Sequence, residues 1–261
     1  MILLPANVGP TSEGTPMIIQ PSRLLRAGIA GGAMATVGLS AGLLTPATAH
    51  ATTKNACSGV TASCKIVAHV DVTGDGRADS VGIARLRTDG DMVTRYQVRI
   101  RTDGGKLLHK TDKTAAWFGP LYRGAAKIDG RRGKEVVVGH VVGAHTAFYR
   151  VYRYHNGKLE LLKAPKLPKK VSATTLRRSW AVDSAVASFE GIRRTRHNGH
   201  VILINTFGSR DPSARVYSGW KLKYRWEDGH WKSVSAVKRT FTNKQAAKAW
   251  GWHVKGMRTG F

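Results

Sequence analysis

The side chains of this chain best placed to do chemistry lie in residues 71–79. Asp71, Asp75 and Asp79 hold the first, fifth and ninth places, Thr73 the third and Gly76 the sixth. In a tight loop, alternate residues turn their oxygens toward one point, and calcium takes six to eight of them. The expected ligands are the carboxylates of Asp71, Asp75 and Asp79, the hydroxyl of Thr73 and the backbone carbonyl of Arg77. Gly76 permits the sharp turn. Thr73 stands where Asp or Asn is usual, and Gly82 stands at the twelfth place, where an EF-hand has its bidentate Glu, so the expected calcium site is weak. A metal-free turn is the alternative, because Asp and Gly favour turns for purely local reasons.

No other constellation promises catalysis. There is no G-x-S-x-G elbow and no cysteine with an accompanying base. His140 and His145 are five residues apart, which suits neither a helical zinc pair nor same-face neighbours on a strand. Glycoside hydrolysis needs two facing carboxylates, and the chain has only 16 acids. The sequence therefore predicts no catalytic residues. An enzyme acting on extracellular polymers is the weaker alternative. Trp250, Trp252 and His253 have the surfaces to stack on sugars, but packing into the core is expected of them.

The elements around the acidic loop recur. Residues 96–107, 148–159 and 219–231 each read as a β-hairpin, with aromatic and β-branched strands joined by Gly104-Gly105, Asn156-Gly157 or Asp228-Gly229. The run before Val136 repeats the run before Val81, with Asp129 and Gly130 following Val70-Asp71-Val72-Thr73-Gly74 in pattern. In a third unit, 182–189 is the candidate matching strand, and 193–199 the loop before the apolar run 201–204. A period of about 50 residues with short strands and glycine-rich turns predicts an all-β array of blade-like sheets.

The loop at 71–79, followed directly by Val81, Gly82 and Ile83, resembles the FG-GAP or VCBS repeat, the calcium-loop blade of integrin-type β-propellers, which in bacteria occurs in many secreted proteins. That resemblance implies three divergent antiparallel blade-like β-meander units, a partial or degenerate propeller. The units are expected at about 65–113, 121–163 and 181–235, with one short C-terminal helix at about 243–250. Only the first unit carries the full motif. In the second, Lys127 and Arg131 occupy the first and fifth places, so no calcium is expected there, and Arg131 is expected to pair with Asp129 or Glu135. The basic, proline-spaced stretch 163–170 reads as a linker.

Residues 1–51 read as a secretory signal peptide, with Arg23 and Arg26 before a small-residue apolar run and an A-x-A site at 49–51. Met17 is an alternative start. No transmembrane segment is expected after cleavage, and the expected location is extracellular. There Cys57 and Cys64, in a 52–64 N-terminal segment ahead of a single β-repeat domain at 65–261, are expected to form a disulfide. The formal net charge is +26, which points toward polyanions. Period-two alternation puts Arg95, Arg99 and Arg101 on one face of a strand, and Lys221, Lys223 and Arg225 on one face of another. Together they are a candidate polyanion patch, with ordinary solvated sheet faces as the alternative. The expected function is that of a non-enzymatic module binding a cell-surface or cell-wall partner. The alternative is a polyanion binder without sequence preference, taking teichoic acid or nucleic acid, and no specific nucleic acid is expected.

Overall fold

The computed structural model describes residues 54–260 except 116, 172–179, 212 and 214. The segment expected to be a signal peptide lies outside the described residues.

The fold is antiparallel β with one short helix. Strands β1 (Ser63–Val70), β2 (Asp79–Asp89), β3 (Met92–Arg101) and β4 (Leu107–Lys113) form a four-stranded meander. A second meander comprises β5 (Tyr122–Ala126), β6 (Glu135–Val142), β7 (Thr146–His155) and β8 (Lys158–Leu161). A third comprises β10 (Ser188–His197), β11 (His200–Asp211), β12 (Val216–Glu227) and β13 (His230–Phe241). The second and third belong to one ten-stranded sheet. They are spliced by β9 (Trp180–Ser184), which pairs with residues 146–149 of β7 and 189–190 of β10. Strand β8 takes the rest of the same β7 edge, at 152–155. Strand β14 (Gly251–His253) likewise completes the β10 edge beside β9, in parallel pairing with residues 191–193. Two interior edges that would otherwise invite another chain are thus covered.

Three hairpins close through Asn156-Gly157, Asn198-Gly199 and Asp228-Gly229, every residue of which has positive φ. That is the type I′ turn, whose twist matches that of the strands it joins. The third unit corrects the sequence reading at two points. The candidate strand 182–189 is the end of β9 and the start of β10, which turn back on each other through 185–187. Residues 193–197 continue β10, so only Asn198 and Gly199 form the turn and the unit has no wide corner. The stretch 163–170 also differs from a free linker. Leu162, Ala164 and Val171 are buried, and the Leu162 carbonyl accepts the indole N–H of Trp180 at 2.8 Å.

Helix α1 (Asn243–Ala249) starts from a capping box, in which Thr242 and Gln245 bond each other's backbone N–H. It docks on β10 at Gly191, where a Cβ would run into the Ala249 carbonyl. The core carries a chain of ring contacts from Trp117 through Tyr149, Trp252, Trp180 and Trp231 to Trp226. Trp252 is therefore a core residue, 1% exposed. The two sheets meet through the hydroxyls of Tyr96 and Tyr152, 2.7 Å apart, and Asp112 accepts from both Tyr152 and Arg150. Among the described residues no helix is long and apolar enough to cross a membrane.

Candidate functional site

The acidic loop, 71–78, is the corner between β1 and β2, and its echo, 127–134, is the corner between β5 and β6. The two touch. Lys134 N–H donates to the Asp71 carbonyl at 2.8 Å, and Gly133, at φ +85°, leaves no room for a Cβ against the Val72 carbonyl. Both corners are braced in the same way. Val72 N–H donates to the carboxylate of Asp79, seven residues on, and Ile128 N–H donates to Glu135, also seven on.

In the first corner every carboxylate oxygen has a donor. Asp79, fully buried, accepts on Oδ2 from the N–H groups of Val72 (2.8 Å) and Thr73 (2.9 Å) and from the Thr73 hydroxyl (3.2 Å), and on Oδ1 from Asp103 N–H (3.2 Å). Asp71 accepts from Gly74 and Gly76 N–H. Asp75 accepts from the backbone and guanidinium of Arg77, whose other arm reaches Asp103 at 2.8 Å. The Arg77 backbone N–H, more than the guanidinium, holds the Asp75 carboxyl below its ordinary value. Among the described residues no group of three or more His, Cys, Asp or Glu side chains could hold a metal ion. In this arrangement the positive charge of the corner comes from Arg77, and its acids face N–H groups.

The echo corner draws its cation from further away. The backbone of Arg131 donates to Asp129 at 2.8 Å, but the guanidinium facing Asp129, at 3.5 Å, is that of Arg153 on β7. Arg153 in turn lies over the Trp226 ring. Asp129 and Glu135 are both buried. Burial, and then the charge of Asp129, push the Glu135 carboxyl well above its ordinary value.

The two basic strands lie on different sheets. On the first, Arg99 is unavailable to a partner. It is 7% exposed and donates to Ala56 and Ser58 carbonyls, fastening the N-terminal segment that the Cys57–Cys64 disulfide folds onto this sheet. Burial lowers its pKa, with the charge of Arg101 second. Arg101 is tied to the Gly105 carbonyl, and Arg95 stays exposed.

The second basic strand, β12, opens onto a groove. Residues paired across neighbouring strands share a face. The register aligns Arg193 with Ile204 and Lys223, and Thr206 with Lys221, while Arg239 projects from β13 on the same side, opposite Gly219. Helix α1 walls that face. The result is a groove of about 590 Å³ lined by Arg193, Thr206, Lys221, Arg239, Gln245 and Lys248 among others, with no acidic residue in the lining. The ion pairs of β12 and β13 are confined to the far hairpin, where Arg225 and Lys232 hold Glu227 and Lys232 also holds Asp228. Among the described residues no carboxylate pairs with Arg193, Lys221, Arg239 or Lys248.

Of the three cations expected on β12, Lys221 lines the groove, Lys223 lies on the same face outside its lining, and Arg225 is taken up by Glu227; Arg193, Arg239 and Lys248 were not foreseen. The alternation of Arg193 and Thr195 with Ile192 was a strand signal inside a stretch read as loop. The two histidines do not meet: His140 contacts Arg150, and His145 bonds Asp183 at 2.7 Å, with Ser188 on the other oxygen of the same carboxylate. That serine touches the acid and not the imidazole, so the cluster is no catalytic triad. Comparison of the chain with protein-family models, with curated proteins and with solved structures found no match.

Proposed function

We propose that the chain is a non-enzymatic, exported module that holds an anionic polymer on the cationic face of its third meander. The observation that carries this reading is the groove beside α1, where four cations, none paired with a carboxylate among the described residues, converge around hydroxyl and amide donors. Phosphate or sulfate groups are the natural complement of such a lining. The disulfide Cys57–Cys64 is in keeping with an oxidising compartment. The paired corners and four-stranded meanders support a distant relation to the FG-GAP or VCBS blade. The groove offers little to nucleobases. Its one aromatic lining residue, Phe241, is 8% exposed, and single strands gain much of their affinity from stacking on open rings.

The test is the salt dependence of binding to labelled inorganic polyphosphate and heparin. Each cation engaged on a flexible polyanion contributes roughly 0.7 to the slope of log affinity against log salt. The triple variant Lys221→Ala, Arg239→Ala, Lys248→Ala is expected to lower the slope by about 2 on that basis. An Arg95→Ala variant that weakens binding as much as the triple variant would show bulk charge, and not the groove, to be responsible.

A further inference from the structure

A second concave site differs in kind from the groove. It lies between the first two strands of the first meander, β1 and β2, and the segment leading into β5, has a volume of about 420 Å³, and mixes apolar with cationic side chains in its lining. That is within the roughly 300–1,000 Å³ typical of small-molecule sites, which are apolar with a few convergent polar groups. The apolar surface comes from Val67, Ile83 and Leu121, and the charge from Lys65, Arg85 and Arg258; Ile66, paired with Gly82, turns its side chain to the other face of the sheet. Strand register accounts for the first two cations. Lys65 pairs with Ile83 and Ser63 with Arg85, so Lys65 and Arg85 leave neighbouring strands on one face with Ile83 between them. The third approaches from the C-terminal segment beside Tyr122, whose phenol is raised by burial and eased back by the Arg258 charge. No acidic residue lines the cleft, and among the described residues none of the three cations has a carboxylate partner.

We propose that this cleft binds a free medium-chain fatty acid, its carboxylate held by Lys65, Arg85 and Arg258 and its chain laid along Val67, Ile83 and Leu121. A bare phosphate would engage the three cations and make no use of the apolar floor, and a neutral lipid would leave the three cations without a partner. Only an amphiphile with an anionic end meets both demands. A recess of this size takes one alkyl chain, which favours the free acid over a two-chain phospholipid anchored in a bilayer.

Calorimetric titration of the full chain with hexanoate, octanoate and decanoate tests this, with decanol as the neutral analogue. Affinity is expected to rise about fourfold for each added methylene that leaves water. Decanol is expected to bind at least about tenfold more weakly than decanoate, as a charge-assisted contact requires. Arg85→Gln and Arg258→Gln, both at exposed positions, are each expected to lose about tenfold in decanoate affinity. Polyphosphate at saturation is expected not to displace decanoate, which separates this site from the groove. The proposal is overturned by affinity that is flat with chain length, by equal binding of decanol, or by association only with vesicles of anionic phospholipid. If either variant proves unstable, the chain-length series on the unaltered protein still decides.

Discussion

Replacing Asp79 by Ala tests what braces the first corner. The side chain is fully buried and accepts four hydrogen bonds, from Val72, Thr73 (twice) and Asp103. Removing it strands three backbone N–H groups, and an unsatisfied buried donor costs about 1–3 kcal/mol. Water entering the corner and incomplete additivity reduce the sum, so the expected loss is roughly 3–5 kcal/mol. For a domain of this size that lowers Tm by about 6–20 °C. The assay is thermal unfolding followed by circular dichroism, run in EDTA and in millimolar calcium. Because the donors are protein N–H groups, the loss should be the same in both. Calcium should leave the Tm of the unaltered protein unchanged, and Asp75→Ala, which frees only the exposed Arg77 contacts, should have the small effect of a surface substitution. If calcium raises Tm and the Asp79→Ala deficit vanishes in EDTA, the corner is a metal site and the hydrogen-bond account of it is wrong.

Gly133→Ala meets the Val72 carbonyl at positive φ, whereas Gly76→Ala, also at positive φ, meets nothing within 4 Å. Gly76→Ala is therefore expected to cost about 1–2 kcal/mol, and Gly133→Ala clearly more; equal losses in urea unfolding would mean that the corners do not press on each other. Burial raises the Glu190 carboxyl to about 7 and Glu135 also upward. A raised acid favours the folded state while protonated, so stability present below about pH 4.5 is lost as pH rises toward 8, by at most about 3 kcal/mol for Glu190. Tm of Glu190→Gln and Glu135→Gln should fall less steeply over that range than that of the parent, and parallel curves would contradict the assignment. Cys57→Ser should cost less than the roughly 3 kcal/mol of a 15-residue loop while rendering the 54–60 segment more protease-sensitive, because only the Arg99 guanidinium and the Ala56 N–H bond to the Ser80 hydroxyl then tie it down; an unchanged cleavage pattern would count against that anchoring role.

What was legible in the sequence was local. Asn-Gly and Asp-Gly pairs set three hairpins because both residues of a type I′ turn need positive φ. The spacing of Asp79 and Glu135 from their corners was visible as a repeat and proved to be a repeated hydrogen bond. What escaped depended on partners distant in the chain. Asp129 pairs with Arg153 and not with the nearby Arg131, since β7 carries Arg153 to the buried corner. Arg99 alternates with apolar neighbours like any solvated strand residue, yet a segment 41–43 residues earlier covers it. The groove needed the docking of α1 on Gly191 before Lys248 and Arg239 could be placed beside Lys221.

The splice strand β9 has a consequence for how the molecule comes apart. It is hydrogen-bonded to both β7 and β10, so melting either the second or the third meander strips the other of its neighbour, and the two are expected to open together. The first meander shares no ladder with them. Its amides should exchange with solvent through a separate, cheaper excursion in which the cleft floor is lost while the cationic groove persists.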